Sequence, residues 1–294
     1  MKRWAEEQAL FVVDDLVIQF LERVPKNLAS RGFGAVSEIP LPQPLQGAVN
    51  EAFAAAAGID RGESEREPHE YRTLNDFFTR RLRSDAREIE AERQTTAVSP
   101  VDGTFSAHGR IEDGTLIQAK GREYSVLELL DSGAHAEHFQ SGVYATLYLS
   151  PRDYHRIHSP VSAAITEVSY VPGELFPVFP MAVENVDRLF AINERLISML
   201  DVGEHGHLAV VKVGATCVGR ISLTFHDWQT NMSYRRRRVE QLEEPVEVSA
   251  GDEIGVFNLG STVVLLFSEP GFSLDGGLGE GEPVRMGQRL GSYD

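Results

Sequence analysis

The sequence predicts an α+β fold, a helical N-terminal segment followed by a mainly antiparallel β core, and three observations carry that expectation. Apolar residues recur at helical spacing near the N-terminus. Beyond Val98 the texture changes to short β-rich runs separated by turns marked with Gly and Pro. No internal repeat of fixed period is visible. The 294 residues divide on this reading into a helical region over 1–90 and a β-rich region over 91–294.

Leu10, Val13, Val17, Phe20, Leu21 and Val24 form one apolar stripe, with Asp14, Asp15 and Glu22 opposite, which predicts an amphipathic helix. Its acidic polar face suits a protein surface better than a lipid headgroup layer, where Lys and Arg are usual. Pro40, Pro42 and Pro44 interrupt helix, and Gln46 to Ala57 reads as a second helix closed by Gly58. A charged connector runs from Asp60 to Glu70. Leu74 to Leu82 is a third helix, N-capped by Thr73, with Leu74, Phe77, Phe78 and Leu82 on one face and Arg80, Arg81 and Arg83 beside it. The strands expected next include Val143–Leu149, Ala164–Val171, Leu208–Val213 and Thr262–Phe267, with one more helix over Val186 to Leu200. Gly276, Gly277, Gly279 and Gly281 read as a surface loop, since no Walker lysine accompanies them.

Composition narrows the function classes. The chain is 42% hydrophobic and 24% charged with a mean hydropathy of -0.21, enough for a sizeable core. Its 44 acidic and 28 basic residues leave a formal charge of -16, which opposes a broad grip on nucleic acid phosphates. Cys217 is the only cysteine, so neither an internal disulfide nor a multi-cysteine zinc site is expected, and a reducing, cytosolic setting fits. No stretch reaches the roughly 18 to 20 apolar residues of a membrane span, and no export signal is read. Peripheral attachment to a membrane surface stays open.

Tyr154-His155-Arg156-Ile157-His158-Ser159-Pro160 places two histidines three positions apart. Among nine histidines such a pair is weak evidence by itself, and Arg156 stands where a zinc protease would need glutamate, so no metal is expected. Ser99-Pro100-Val101-Asp102-Gly103-Thr104 sets a carboxylate in a turn, and Leu259-Gly260-Ser261-Thr262 opens an apolar run. Asp, His and Ser are the types that activate a hydroxyl: serine attacks, histidine takes its proton, a carboxylate orients the ring. The Gly-x-Ser-x-Gly elbow of α/β-hydrolases is missing. A serine hydrolase using Asp102, His158 and Ser261 and a noncatalytic lipid-binding protein are the alternatives to be weighed.

Read together, several motifs resemble the bacterial phosphatidylserine decarboxylase family. They are Tyr71-Arg72-Thr73-Leu74-Asn75-Asp76-Phe77-Phe78, Ser99 to Gly103, Leu149-Ser150-Pro151-Arg152-Asp153-Tyr154-His155-Arg156-Ile157-His158, Tyr170 to Phe176, Asn193-Glu194-Arg195, Gly214-Ala215-Thr216 and Leu259 to Thr262. They occur in the family's order over most of the chain, whereas Gln229–Glu247 and the Gly-rich tail match none of its motifs.

The resemblance implies a proenzyme that cuts itself between Gly260 and Ser261 into a large β chain (1–260) and a small α chain (261–294). Ser261 would become a covalent pyruvoyl cofactor, with glycine before it leaving the attacked carbonyl unhindered. By the family pattern His158 is the base that deprotonates Ser261, Asp102 orients that imidazole, and His155 is the acid of the decarboxylation. The activity implied is conversion of phosphatidylserine to phosphatidylethanolamine and CO2, through a Schiff base to the pyruvoyl group. The implied partners are the lipid, the membrane surface on its cytoplasmic face, the two chains for each other, and a second copy in a homodimer. Arg80, Arg81 and Arg83 are candidates to meet the lipid phosphate locally, with Arg235–Arg238 a second basic run.

Overall fold

The structure is a computed structural model, and it describes residues 26–91, 95–216, 220–231, 236–258, 261–268 and 271–294. The amphipathic stretch Leu10–Val24 lies outside these residues, as do Cys217 and Gly260.

Helices α1 (Lys26–Ser37) and α2 (Gln43–Ala57) come first. Helix α2 starts after Pro42, with Pro44 in its first turn, and stops at Gly58, whose φ of 74° and N–H to Ala54 O close it. Its buried polar residues have partners: Gln46 Nε2 donates to Asn50 Oδ1 at 2.8 Å, and Asn50 Nδ2 donates to Pro68 O at 2.8 Å. That chain of bonds pins α2 to the connector, which folds into two short 3₁₀ turns at Arg61–Glu63 and Pro68–Glu70. Helix α3 (Leu74–Phe78) has the expected cap, Thr73 Oγ1 accepting from Asp76 N at 2.9 Å. It ends earlier than its apolar stripe suggested. The carbonyl of Thr79 accepts from Arg156 Nε at 3.0 Å, and Arg80 turns into the interior. Ala54, Ile59, Tyr71 and Phe77 form a small core of their own under these helices.

The β region follows, with β1 (Thr96–Val98), β2 (Gly103–Ile111), β3 (Thr115–Ala119), β4 (Arg122–Ser125), α4 (Val126–Leu130), α5 (Gly133–His138), β5 (Gly142–Leu149), β6 (Arg156–His158) and β7 (Ala163–Val171). Then come α6 (Pro180–Asn185), α7 (Leu189–Ile192), β8 (Arg195–Asp201), β9 (His207–Val213), β10 (Arg220–Leu223), β11 (Arg238–Val248), β12 (Glu253–Asn258), β13 (Ser261–Ser268), β14 (Phe272–Leu274), β15 (Pro283–Val284) and β16 (Arg289–Tyr293). An eight-stranded sheet runs in the order β11-β7-β8-β9-β13-β5-β2-β15, and all its pairings are antiparallel. Smaller sheets are β1-β16-β14, β10-β12-β6 and the hairpin β3-β4.

Strand β13 sits deep in the large sheet, with β9 on one side and β5 on the other. Val263, Val264, Leu265, Leu266 and Phe267 are all inaccessible to solvent, so both faces of the strand are packed and its sequence is a continuous apolar run. Burying each of those side chains contributes about 1.5–3 kcal/mol, which makes this strand the hub of the main core.

The expected helix over Val186–Leu200 is a correction. The chain forms α7 over four residues and then enters β8, an interior strand whose residues Arg195–Leu200 are all buried. With both faces covered, Leu196, Ile197, Met199 and Leu200 show no alternation, and their spacing imitates a helical stripe. Asn193 makes the break. Its amide accepts from Phe176 N at 2.9 Å and donates to Phe176 O and Gly214 O at 2.9 and 2.8 Å. It thereby joins three of the recognised motifs. Gly173 completes the knot, since a Cβ there would lie 2.4 Å from Ile192 O.

Candidate active site

Strand β5 carries the chain out of the large sheet at Leu149, directly into the turn Ser150–Asp153. Asp153 Oδ2 accepts from Ser150 N and Ser150 Oγ at 2.7 and 2.8 Å, and Asp153 N donates to Ser150 O at 2.9 Å, reciprocal bonds that close the turn. His155 follows, then β6, which pairs with β12 so that His158 lies opposite Glu253. Strand β12 ends at Asn258 and β13 begins at Ser261, which pairs with Leu149. Residue 261 therefore sits across from the residue that opens the histidine turn. The side chain of Ser261 is not among the described features.

His155 is fully buried and its ring lies 4.0 Å, centroid to centroid, from that of Phe78 on α3. Nδ1 donates to Asp153 O at 2.8 Å, leaving Nε2 as the acceptor, and that Nε2 is buried without a hydrogen-bond partner. Burial, followed by the charge of Arg80, pushes its pKa down to about 3, so the ring is neutral at physiological pH. Arg80 is 4% exposed and donates through Nη2 to Arg152 O at 2.9 Å and to Asp153 O at 3.4 Å, the carbonyl that His155 also uses. Its Nε and Nη1 are buried and unpartnered.

His158 is held differently. Nδ1 donates to Gly251 O at 2.7 Å, and Nε2 meets Tyr154 Oη at 3.1 Å. Burial lowers its pKa, so it too favours the neutral form. With Tyr154 it lines a groove of about 760 Å³ whose other walls include Glu65, Arg81, Asp85 and Glu253.

Asp102 lies near but does not touch either ring nitrogen of His158. Its Oδ1 accepts from Arg87 Nε at 2.9 Å and from Met286 N at 2.8 Å, and Arg87 Nη2 bonds Oδ2. Arg87 also reaches Glu63 Oε2 at 2.7 Å, and that bond holds the Glu63 carboxyl below its usual range. The turn is linked to the histidine strand through the backbone, His158 N donating to Pro100 O at 2.8 Å. Gly103 permits this packing, because a Cβ would lie 2.3 Å from Tyr148 O. Whatever Asp102 does for His158 is therefore done by its charge and by the turn that carries it.

The three arginines singled out in the sequence divide. Arg80 faces inward, whereas Arg81 and Arg83 are exposed and pair with Glu253 at 3.5 Å and Asp85 at 2.8 Å. Of the other basic run, Arg237 lies 3.6 Å from Asp131 and the Arg238 guanidinium stacks over Trp228 at 4.5 Å. Arg87, Gly251 and Met286 were not signalled by the sequence. Arg87 stands in no motif, and the other two contribute only backbone atoms, which any residue type supplies. Among the described residues no group of three or more His, Cys, Asp or Glu is arranged to hold a metal.

His155 and His158, both buried and neutral, thus follow the turn that leaves β5 at the residue paired with Ser261, and the similarity to known proteins places the chain among self-processing lyases. Residues 74–292 match the family described as phosphatidylserine decarboxylase. The chain is 45% identical over 282 residues to the phosphatidylserine decarboxylase proenzyme of Anaeromyxobacter sp. (strain K), covering 95% of this chain and 98% of that one. It is 41% identical to the proenzyme of Myxococcus xanthus (strain DK1622), with the same coverage, and 41% identical to that of Brevibacillus brevis, over 92% and 95% of the two chains. The chain belongs to the phosphatidylserine decarboxylase family. It is a carboxy-lyase that forms phosphatidylethanolamine from phosphatidylserine, and it is made as a proenzyme that matures by self-cleavage.

Proposed function

We propose that the cut falls between Gly260 and Ser261, and that Ser261 is converted to a pyruvoyl group used in the decarboxylation. The observation that supports this reading is the pairing of Ser261 with Leu149, the residue from which the chain turns through Ser150–Asp153 to His155 and then to His158 on β6. In maturation His158 takes the Ser261 hydroxyl proton at Nε2, the oxygen attacks the Gly260 carbonyl, and the resulting ester is eliminated to a dehydroalanine that hydrolyses with loss of ammonia. Asp102 stabilises the imidazolium through its field, fixed in place by Arg87.

The bare, buried Nε2 of His155 is the feature that fits a reacting group at residue 261. A pyruvoyl group supplies there a ketone that accepts the electrons released as CO2 departs. His155 handles the proton. Because Nδ1 is committed to Asp153 O and the ring is neutral, His155 must first collect at Nε2 the proton that it then delivers. Arg80 and Phe78 hold that ring from two sides, and the unpartnered nitrogens of Arg80 make it the member of the arginine trio suited to an anionic headgroup inside the site. Arg81 and Arg83 remain the candidates at the surface.

The enzyme on this reading works as a peripheral protein on the cytoplasmic face of the cell membrane. Among the described residues no helix is long and apolar enough to cross a bilayer. Val36, Ile39, Leu41 and Leu45, between and at the ends of α1 and α2, are nevertheless exposed, Val36 at 65% and Ile39 at 54%. Four neighbouring apolar side chains on the helical region suit contact with lipid, and a charge of -16 makes that contact local and apolar. Residues 1–90 are thus proposed as the membrane-associating region and 91–294 as the catalytic domain. A homodimer is proposed on the family resemblance, to be checked by light scattering.

An intact mass spectrum under denaturing conditions tests the chemistry. Two fragments dividing at Gly260–Ser261, the smaller one lighter than a serine N-terminus by the change from amino acid to pyruvoyl, are expected. A cut elsewhere, or an unmodified serine at the new terminus, overturns the reading.

A further inference from the structure

Tyr154 has no part in the scheme above, yet its hydroxyl is the side-chain group bonded to the proposed base of self-cleavage. Its Oη lies 3.1 Å from His158 Nε2, and the two rings are 5.6 Å apart at 31°. The direction of that bond follows from the other side of the imidazole. Gly251 O, 2.7 Å from Nδ1, can only accept, so Nδ1 carries the proton, Nε2 carries the lone pair, and Tyr154 donates to it. The donor keeps its proton: Tyr154 is 5% exposed, and burial together with the negative charge of Glu253 pushes its pKa up.

We infer that Tyr154 is a positioning residue for self-cleavage, holding His158 in the neutral tautomer whose Nε2 lone pair receives the Ser261 proton. This rests on the reading of His158 as base. A donor on Nε2 stabilises the neutral ring and destabilises the protonated one, so the base is kept available at lower pH. When the serine hydroxyl arrives, its oxygen forms the bond to the Gly260 carbonyl carbon, and its proton passes to Nε2. The tyrosine keeps its own proton and gives up Nε2 to the serine hydroxyl, so its bond is made with the neutral ring alone.

The charged groups that face His158 do not supply this function. Asp102, on the turn before β2, is engaged by Arg87 and Met286 N, and Glu253, on β12, is engaged by Arg156 of β6 at 2.7 Å and by Arg81 at 3.5 Å. Arg83 and Asp85, on the groove wall, bond each other. Glu65 is the remaining acid of that wall. Among the hydrogen bonds described for the His158 ring, Tyr154 alone reaches Nε2.

The test is the pH dependence of self-cleavage, followed by pulse–chase synthesis of the full chain. Tyr154→Phe keeps the ring and removes the hydroxyl. Its acid limb is expected to move to higher pH by about 0.5–1 unit, the equivalent of one ordinary hydrogen bond, with the rate recovering in alkaline buffer. A profile that superimposes on the parent, or a uniform slowing without a shift, overturns the proposal. An arm that does not need this variant uses the Ser261→Ala chain, in which nitrogen NMR of His158 should show a proton on Nδ1 and a hydrogen-bonded, unprotonated Nε2. The opposite tautomer overturns it. His158→Ala separates the two levels of inference: efficient cleavage in that variant removes His158 as base, whereas an uncut His158→Ala with an unshifted Tyr154→Phe removes Tyr154 alone.

Discussion

Met286 donates its backbone N–H to Asp102 Oδ1 at 2.8 Å, across the proposed point of cleavage, so the segment after residue 261 holds a carboxylate of the segment before it. Arg87 holds the same carboxylate from the other side with two nitrogens. The side chains of Arg87 and Asp102 are only 6% and 10% exposed, a regime in which losing one partner strands a charge.

Arg87→Gln is therefore expected to cost about 3–5 kcal/mol, far more than a surface ion pair is worth. Urea unfolding of the uncut Ser261→Ala background measures it without interference from cleavage. A loss below about 1 kcal/mol would show that the pair is dispensable.

The two histidines should separate by task. Ser261→Ala and His158→Ala are expected to leave an uncut chain, whereas His155→Ala should cut itself and lose about 10²–10⁴-fold in turnover. Gel mobility reads the first property and CO2 release the second. An uncut His155→Ala chain defeats the division.

Lys212, on β9, is fully buried, donating to Ser198 Oγ at 2.7 Å and Val210 O at 3.2 Å, and burial pushes its pKa down to about 7. An unfolded lysine titrates near about 10.4. Between those values the unfolded chain binds the extra proton, so folding becomes more favourable as pH rises from about 7 toward 10 and carries the full penalty below 7. Lys212→Met should raise the melting temperature at pH 6–7 and flatten that slope. A variant less stable than the parent at pH 6 would show that the amine has compensating contacts.

Contact with lipid through the α1–α2 junction predicts that Ile39→Glu with Leu45→Glu weakens co-sedimentation with phosphatidylserine vesicles about tenfold or more while self-cleavage continues, since both side chains are more than half exposed. Removal of the Leu10–Val24 stretch is the companion experiment. Full binding and activity in both would sink the docking proposal.

The strands were legible wherever hydrophobicity and turn residues agreed: Val143–Leu149, Ala164–Val171, Leu208–Val213 and Thr262–Phe267 each fall within an observed strand. β8 was not, because a strand buried on both faces loses its alternation. The length of α3 was misread for a different reason, a tertiary bond from Arg156 competing for the Thr79 carbonyl. The motifs supplied candidate residues for the site, but not the connections the fold gives them. The sequence suggests a direct Asp–His pair by analogy with other hydroxyl-activating sites. The fold instead gives the His158 Nδ1 proton to a backbone carbonyl from β11–β12 and the Asp102 carboxylate to Arg87. Backbone acceptors and a distant arginine leave no mark in a motif.

Strand β13 lies between β9 and β5 in the middle of the large sheet, and with the cut proposed at its first residue it carries the reacting terminus. A terminus built into the hub of a core cannot be exchanged with solvent or replaced from a pool, as a dissociable coenzyme can. Each molecule is then provisioned once. Chemical loss of its reactive group retires the whole protein, so lifetime turnover is capped by the durability of one residue and renewed only by new synthesis.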